Sequence, residues 1–238
     1  MIKPFVINLA KNTNRLESMC RQLSHFGLEF ERIDAVLGVG LSLAEMRRDF
    51  CCIRSFFAMM RRLRVGEIGC ALSHLSVYRK MIERQMQYAL VLEDDITLCE
   101  SFKEILKVAL ANLNADKPMV ILLSALSTSD TFNVPGLQRI KKGWGADAYL
   151  ITLPAAKAIL HSNYPVVIPA DQWGTWASRE KIELYRMWPT AVWQDRVAYT
   201  SEIAASIRPW PLLFSPVYKM LRLMGLIVDE LWFKVTGR

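Results

Sequence analysis

The 238 residues are 52% apolar and 22% charged, which excludes a disordered chain and leaves room for one large α/β domain or two small ones. A net charge of +7 with a pI near 9.2 points to an anionic partner: a nucleotide, a nucleic acid or an acidic lipid surface. Five cysteines without CxxC spacing exclude a disulfide framework and a zinc-ligand set. Cys20, Cys51, Cys52, Cys70 and Cys99 read as reduced, mostly buried thiols of a cytosolic protein. The start, MIKPFVINLA, lacks the apolar run and cleavage site of a secretory leader. No run of about 18 uncharged apolar residues occurs either, so nothing is expected to span a membrane.

Residues 2–9 read as a buried strand that runs into the polar stretch 11–15. Leu16, Met19, Cys20, Leu23 and Phe26 then recur at helical spacing, with Gly27 as the stop. Residues 29–33 alternate as a second strand, and Ser42-Leu43-Ala44-Glu45 has the form of a capping box. Residues 50–64 (FCCIRSFFAMMRRLR) mix aromatics, methionines and arginines and read as a surface segment or short helix. The clearest helix is 66–85, with Ile68, Ala71, Leu72, Leu75, Tyr78, Met81 and Ile82 on one apolar face. Tyr88 to Leu92 form a strand, and Ser101-Phe102-Lys103-Glu104 is a second capping box opening a helix to about Leu113. Residues 119–123 and 147–152 are two more strands, and Pro154 sits in the first turn of a helix over 155–161, where its missing N–H costs nothing. Strand and helix alternate without repeat or linker, which predicts one doubly wound, mostly parallel sheet with ligands at the strands' carboxyl ends.

At one such end stands YALVLEDD, where Glu93, Asp94 and Asp95 are adjacent. Three neighbouring carboxylates repel one another and add nothing to a core. They are either a solvated turn or the seat of a divalent cation shared with a substrate phosphate. Alone, the triplet fits nucleases and phosphatases as well as sugar transfer.

Its surroundings narrow the choice. Val6-Ile7-Asn8-Leu9 with Arg15 is followed by Gly66-Glu67-Ile68-Gly69-Cys70-Ala71-Leu72-Ser73-His74, by residues 88–95, by Trp144-Gly145-Ala146-Asp147-Ala148-Tyr149 and by Pro169-Ala170-Asp171. In this order and spacing, over roughly residues 2–175, the chain resembles glycosyltransferase family 25, the lipopolysaccharide and lipooligosaccharide sugar transferases of bacteria, whose relatives include collagen galactosyltransferases. The resemblance implies a GT-A-like, Rossmann-like α/β fold: a mostly parallel sheet with helices on both faces in a single domain. It implies a UDP-sugar donor, usually UDP-galactose or UDP-glucose, and transfer to a hydroxyl of a growing glycan or glycolipid, normally with inversion. It also implies Mn²⁺ or Mg²⁺ held by Asp95, with Glu93 or Asp94 facing the donor's ribose or sugar. Asn8, Arg15, Glu67, Ser73, His74 and Trp144 are the further donor-binding candidates. Against these stand ordinary roles: a helix-surface charge for Arg15, a hydrogen-bonded structural histidine for His74, a bulged turn around Trp144. Asp147 departs from the family pattern, which leads one to expect a small or hydroxylic residue there.

An inverting transfer needs a base beside the acceptor hydroxyl. Asp171 is the expected base, flanked by Trp173 and Trp176 as sugar-packing, desolvating neighbours, and Asp147 is second. The other role for Asp171 is to cap the helix starting near Gln172. Residues 1–207 are thus expected to be the catalytic domain and 208–238 a basic amphipathic tail. That tail is either a helix lying on an anionic membrane, which would make the protein peripheral on the cytoplasmic face of the inner membrane, or a packing helix. Two other functions compete. A metal-dependent phosphoesterase would need more histidines than the three present, and a nucleic-acid-binding module, for which Arg54 to Arg64 is the one candidate, explains none of the strand-end acids. No nucleic-acid partner is therefore expected.

Overall fold

In the computed structural model, residues 2–124 and 135–194 are described. Their strands, in chain order, are β1 (Phe5–Asn8), β2 (Glu31–Asp34), β3 (Tyr88–Glu93), β4 (Ile96–Leu98), β5 (Met119–Leu122), β6 (Gly136–Arg139), β7 (Ala148–Thr152), β8 (Glu183–Trp188) and β9 (Val192–Gln194). The helices are α1 (Thr13–His25), α2 (Leu43–Asp49), α3 (Cys52–Met59), α4 (Val65–Glu83), α5 (Phe102–Ala111), α6 (Leu153–Ser162) and α7 (Trp173–Arg179).

Seven strands form one sheet in the order β2-β1-β3-β7-β5-β8-β6, and β4 pairs with β9 in a separate ribbon. β1 is parallel to β2 and β3, and β5 is parallel to β8, while β7 and β6 run against their neighbours. Five of the seven strands therefore share one direction. This is the α/β, mostly parallel arrangement expected.

The strands read as unbroken apolar runs because both faces are covered. On one face Val6, Leu90, Leu92, Ile121 and Leu150 pack with Met19 and Leu23 of α1 and with Phe102, Ile105 and Leu106 of α5. The intervening residues Phe5, Ile7, Ala89, Val91 and Tyr149 are equally buried, on the side where α4 and α6 lie against each other and the strands. α4 is buried well beyond its expected stripe. Ser73, His74 and Val77 are enclosed as fully as Ile68 or Leu75, because the 3-10 turn Gly38–Gly40 and α6 both lie on it. That crossing is backbone on backbone. A Cβ on Gly38 would collide with the Val65 carbonyl, and one on Gly69 with the Val36 carbonyl, so the two glycines set how closely the turn approaches.

The Ser42 capping box forms: Glu45 N donates to Ser42 Oγ at 3.2 Å and Ser42 N to Glu45 Oε2 at 2.8 Å. The Ser101 box does not, since Ser101 makes no side-chain cap bond. Expected burial fails at Cys20, which is exposed, while the other four cysteines are half-buried. Cys20 falls on the solvent side of α1, one position past buried Met19. The tail lies outside the described residues.

Candidate active site

The five co-directional strands end at one edge of the sheet, and the acidic triplet is there because β3 is among them. Side chains alternate along a strand, so consecutive acids leave β3 toward opposite faces. Asp94 continues the Leu90–Leu92 row toward α1, and Glu93 continues the Ala89–Val91 row toward α4. Asp95, just beyond the strand, stays at the edge.

Asp94 is closed in. Asn8 Nδ2 donates to its Oδ2 at 2.6 Å and Arg15 Nη1 to its Oδ1 at 3.2 Å. Asn8 is fixed in turn, accepting from Arg32 Nε at 2.9 Å and donating to the Asn12 carbonyl at 3.0 Å. Burial pushes the Asp94 carboxyl up, against the pull of Asn8 and Arg15.

Glu93 ends a buried chain of hydroxyls and imidazole. Tyr78 Oη lies 2.9 Å from Tyr149 Oη, which lies 2.7 Å from His74 Nδ1, and His74 Nε2 is 3.1 Å from Glu93 Oε1. An ionised Glu93 only accepts, which assigns the imidazole proton to Nε2 and leaves Nδ1 to accept from Tyr149. Burial raises both tyrosine hydroxyls above the usual phenol range, so they stay protonated. The Cys70 thiol, raised by burial and by Glu93, donates to the same Oε1 at 3.7 Å. Oε1 thus has two donors, and Oε2 is the oxygen left for a ligand.

Asp95 is different. Its Oδ2 accepts from Gln194 Nε2 at 3.3 Å and lies 3.9 Å from Arg15 Nη1, but its Oδ1 is buried with no partner. Burial, then the charges of Glu93 and Asp94, push this carboxyl up to about 6. A second such oxygen belongs to Asp147, which precedes β7. Because β7 is antiparallel, its start reaches the edge where β3 ends, and Glu93 N donates to the Asp147 carbonyl at 2.8 Å. Asp147 Oδ1 accepts from Ser124 Oγ at 2.9 Å, while Oδ2 is buried and unpartnered. Burial first, then Glu93, push it up to about 7.

Buried carboxylate oxygens without partners are costly. A hard divalent cation prefers one or two carboxylates completed by phosphate oxygens and water, and Asp95 with Asp147 is that kind of donor set. Cys70, His74 and Glu93 also offer sulfur, nitrogen and oxygen within 4.8 Å of one another. Those three already satisfy each other by hydrogen bonds, so the unmet charge lies with the two aspartates.

A cleft of about 250 Å³ opens beside the acids, between the end of β1, the loop 35–39 after β2, and α4. Of the expected residues, Arg15, Ser73, His74, Glu93, Asp94 and Asp95 line it. Ser73 does so as a pin, accepting from Val36 N at 2.8 Å and donating to the Gly69 carbonyl at 2.7 Å. Asn8 stands behind Asp94. Glu67 is spent on Arg61, which grips both its oxygens at 2.7 and 2.8 Å, and on Arg64 N at 2.7 Å. Trp144 is 40% exposed between Gly143 and left-handed Gly145 and is not part of the cleft lining.

Asp171 is not a cap. Gln172 occupies the cap of α7, and neither residue makes a side-chain cap bond. Gln172 Nε2 donates to Asp171 Oδ1 at 3.3 Å. Burial raises the Asp171 carboxyl, and the charges of Glu67 and Glu93 add to it, but Asp171 is not part of the cleft lining. Its tryptophan neighbours are not sugar platforms. Trp173 and Trp176 are each 1% exposed, and Trp173 donates to the Gly145 carbonyl at 2.6 Å while its ring meets Tyr149 edge-on. Asn12, Cys70 and Gln194 join the site without having been singled out as binding residues. Asn12 Nδ2 is a buried donor without partner in the cleft wall, and Gln194 arrives only through the β4–β9 pairing.

A profile of the family described as "Glycosyltransferase family 25 (LPS biosynthesis protein)" matches residues 1–173. The chain is 25% identical over 226 residues to human procollagen galactosyltransferase 2, covering 90% of this chain and 35% of that one. It is 28% identical over 224 residues to a glycosyltransferase 25 family member of Drosophila melanogaster, with 90% and 35% covered. It thus spans about a third of the length of these relatives. Among solved structures, a glycosyltransferase involved in glycosylation of the major capsid of PBCV-1 aligns with a TM-score of 0.42 at 8% identity, covering 86% of this chain and 96% of that one.

Proposed function

The chain belongs to glycosyltransferase family 25, and on that premise we propose that it moves a hexose, galactose or glucose, from a UDP-sugar to a hydroxyl of a lipopolysaccharide, lipooligosaccharide or related glycan, with inversion. The observation that carries this is the pair of partnerless, buried carboxylate oxygens, Asp95 Oδ1 on a residue of the cleft lining and Asp147 Oδ2 at the same sheet edge. An acid pair built for its own fold would have been hydrogen-bonded.

Mn²⁺ or Mg²⁺ held by Asp95 and Asp147 would act as a Lewis acid on the leaving diphosphate. The chain's own groups do the rest. Arg15, anchored on Asp94, offers its guanidinium to phosphate oxygens at the cleft wall. Asn12 Nδ2 is a donor for the same oxygens or the ribose. Glu93 Oε2, backed by His74 and Cys70, accepts from a donor hydroxyl and so contributes to the choice between sugars that differ in hydroxyl orientation. Asp171, raised by burial, takes the acceptor hydroxyl proton as that oxygen attacks the anomeric carbon, the bond to the diphosphate breaks, and UDP leaves.

UDP release measured against a panel of nucleotide sugars and glycan acceptors, with Mn²⁺ and with chelator, tests this. Release that needs UDP-galactose or UDP-glucose together with cation supports it. Full turnover in chelator removes the cation role, and hydrolysis of simple phosphate esters instead of sugar transfer overturns the function.

A further inference from the structure

Eleven large apolar residues are exposed among the described ones, and six of them fall within one stretch of the chain: Leu37, Val39, Leu43, Ile53, Phe57 and Met60. Residues 37–64 also hold six arginines against two acids, so they carry four of the chain's seven net positive charges. Both acids are engaged, Glu45 by Ser42 and Asp49 by Arg48 and Tyr164. Ile53 and Phe57 lie one turn apart on α3 with Arg54 beside them, all three exposed. The stretch doubles back where Gly38 meets the Val65 carbonyl, and there Leu37 and Val39 line the cleft.

Single exposed apolar side chains are ordinary, but a cluster laced with arginines and without a free acid calls for a partner that is both apolar and anionic. A second copy of the chain fits poorly, because an isologous contact would set arginine against arginine. A nucleic acid fits poorly too: five of the six apolar residues are aliphatic and offer no ring on which a base stacks. A lipid headgroup layer fits both features. Side chains such as Ile53 and Phe57 enter the acyl boundary while guanidinium forks pair with phosphates.

We infer that the surface of residues 37–64 docks the protein on an anionic lipid bilayer, with the cleft opening at the headgroups. The docking stands apart from the proposed activity, on which only its purpose rests, namely presenting an amphiphilic acceptor to the site. No described helix is long and apolar enough to cross a membrane.

The test is co-sedimentation of the full-length chain with phosphatidylglycerol/phosphatidylcholine vesicles and with phosphatidylcholine alone. Wild type should bind only the anionic vesicles, and salt should weaken it. The Ile53→Ser/Phe57→Ser variant should lose on the order of tenfold or more in partition, and Arg54→Ser severalfold, with circular dichroism and turnover of a soluble acceptor unchanged. Vesicle binding that survives in the double variant but disappears in Trp232→Ser/Phe233→Ser assigns the membrane contact to the tail and overturns the inference. Equal binding to neutral vesicles, self-association abolished by the same double variant in place of vesicle binding, or capture of single-stranded RNA without vesicle binding would each do so as well. Vesicle docking by a chain that transfers no sugar leaves the surface standing and removes only the enzymatic reading.

Discussion

The two sides of the β3 terminus treat their acids in opposite ways. Toward α1, Asp94 has a donor on each oxygen and holds Asn8 and Arg15 in register. At the edge, Asp95 and Asp147 each keep one buried oxygen with nothing to accept from. A carboxylate that has its donors stabilises the fold and positions its neighbours; one that lacks them costs apo stability and is open to a ligand. Substitution should therefore separate the two regions, one showing up in unfolding and the other in turnover.

Asp95→Asn should give the largest effect, a loss of transfer on the order of a thousandfold, with the melting temperature in chelator unchanged or higher because an unmet charge is gone. Calorimetric titration with Mn²⁺ should find weaker binding, and unchanged turnover would erase the contrast. Asp171→Asn should lower kcat by roughly a hundredfold while donor binding and thermal stability persist. Near-normal turnover removes Asp171 from the chemistry. Asp94→Ala should do the reverse of Asp95→Asn, costing about 2 kcal/mol in urea unfolding because Asn8 and Arg15 lose a buried acceptor.

The pH dependence carries the comparison further. The carboxyls of Asp95 and Asp147 are raised from 3.8 to about 6 and about 7. Between pH 4 and 7 the native state therefore binds more protons than the unfolded chain, and stability falls as pH rises through that window. In chelator the loss should amount to several kcal/mol, should flatten in Asp147→Asn, and should be offset by Mn²⁺. A flat profile in chelator would mean that the two oxygens have partners after all. The smallest effect should come from Tyr149→Phe, which removes the donor to His74 Nδ1. About 1 kcal/mol of stability and a severalfold change in KM for the donor are expected, with kcat nearly kept.

Much of this was legible beforehand, for particular reasons. Apolar runs such as Ala89 to Leu92 announce a strand covered on both faces, and the helical spacing over residues 66–85 announces α4, because burial alone dictates those patterns. The triplet's place at a carboxyl end follows from strand–helix alternation. What alternation leaves open is whether a strand reverses. β7 does, and only that reversal brings Asp147 level with Glu93. The tryptophans misled for a related cause: flanking an acid in sequence says nothing about which side of α7 faces the core, and Trp173 and Trp176 both point inward.

By itself the sequence determined the strand-end acids, the long helix beside them and the family, because each is written in local spacing or in a short contiguous motif. Only the tertiary structure decided how the acids divide their work. The two-residue period of β3 sends Glu93 to His74 and Asp94 to Arg15. A ribbon made from residues nearly a hundred positions apart brings Gln194 to Asp95, and antiparallel β7 supplies the second unpaired oxygen. Whether a carboxylate is satisfied depends on donors from α1, α4 and β9, and chain spacing does not encode which of these arrive within hydrogen-bond distance.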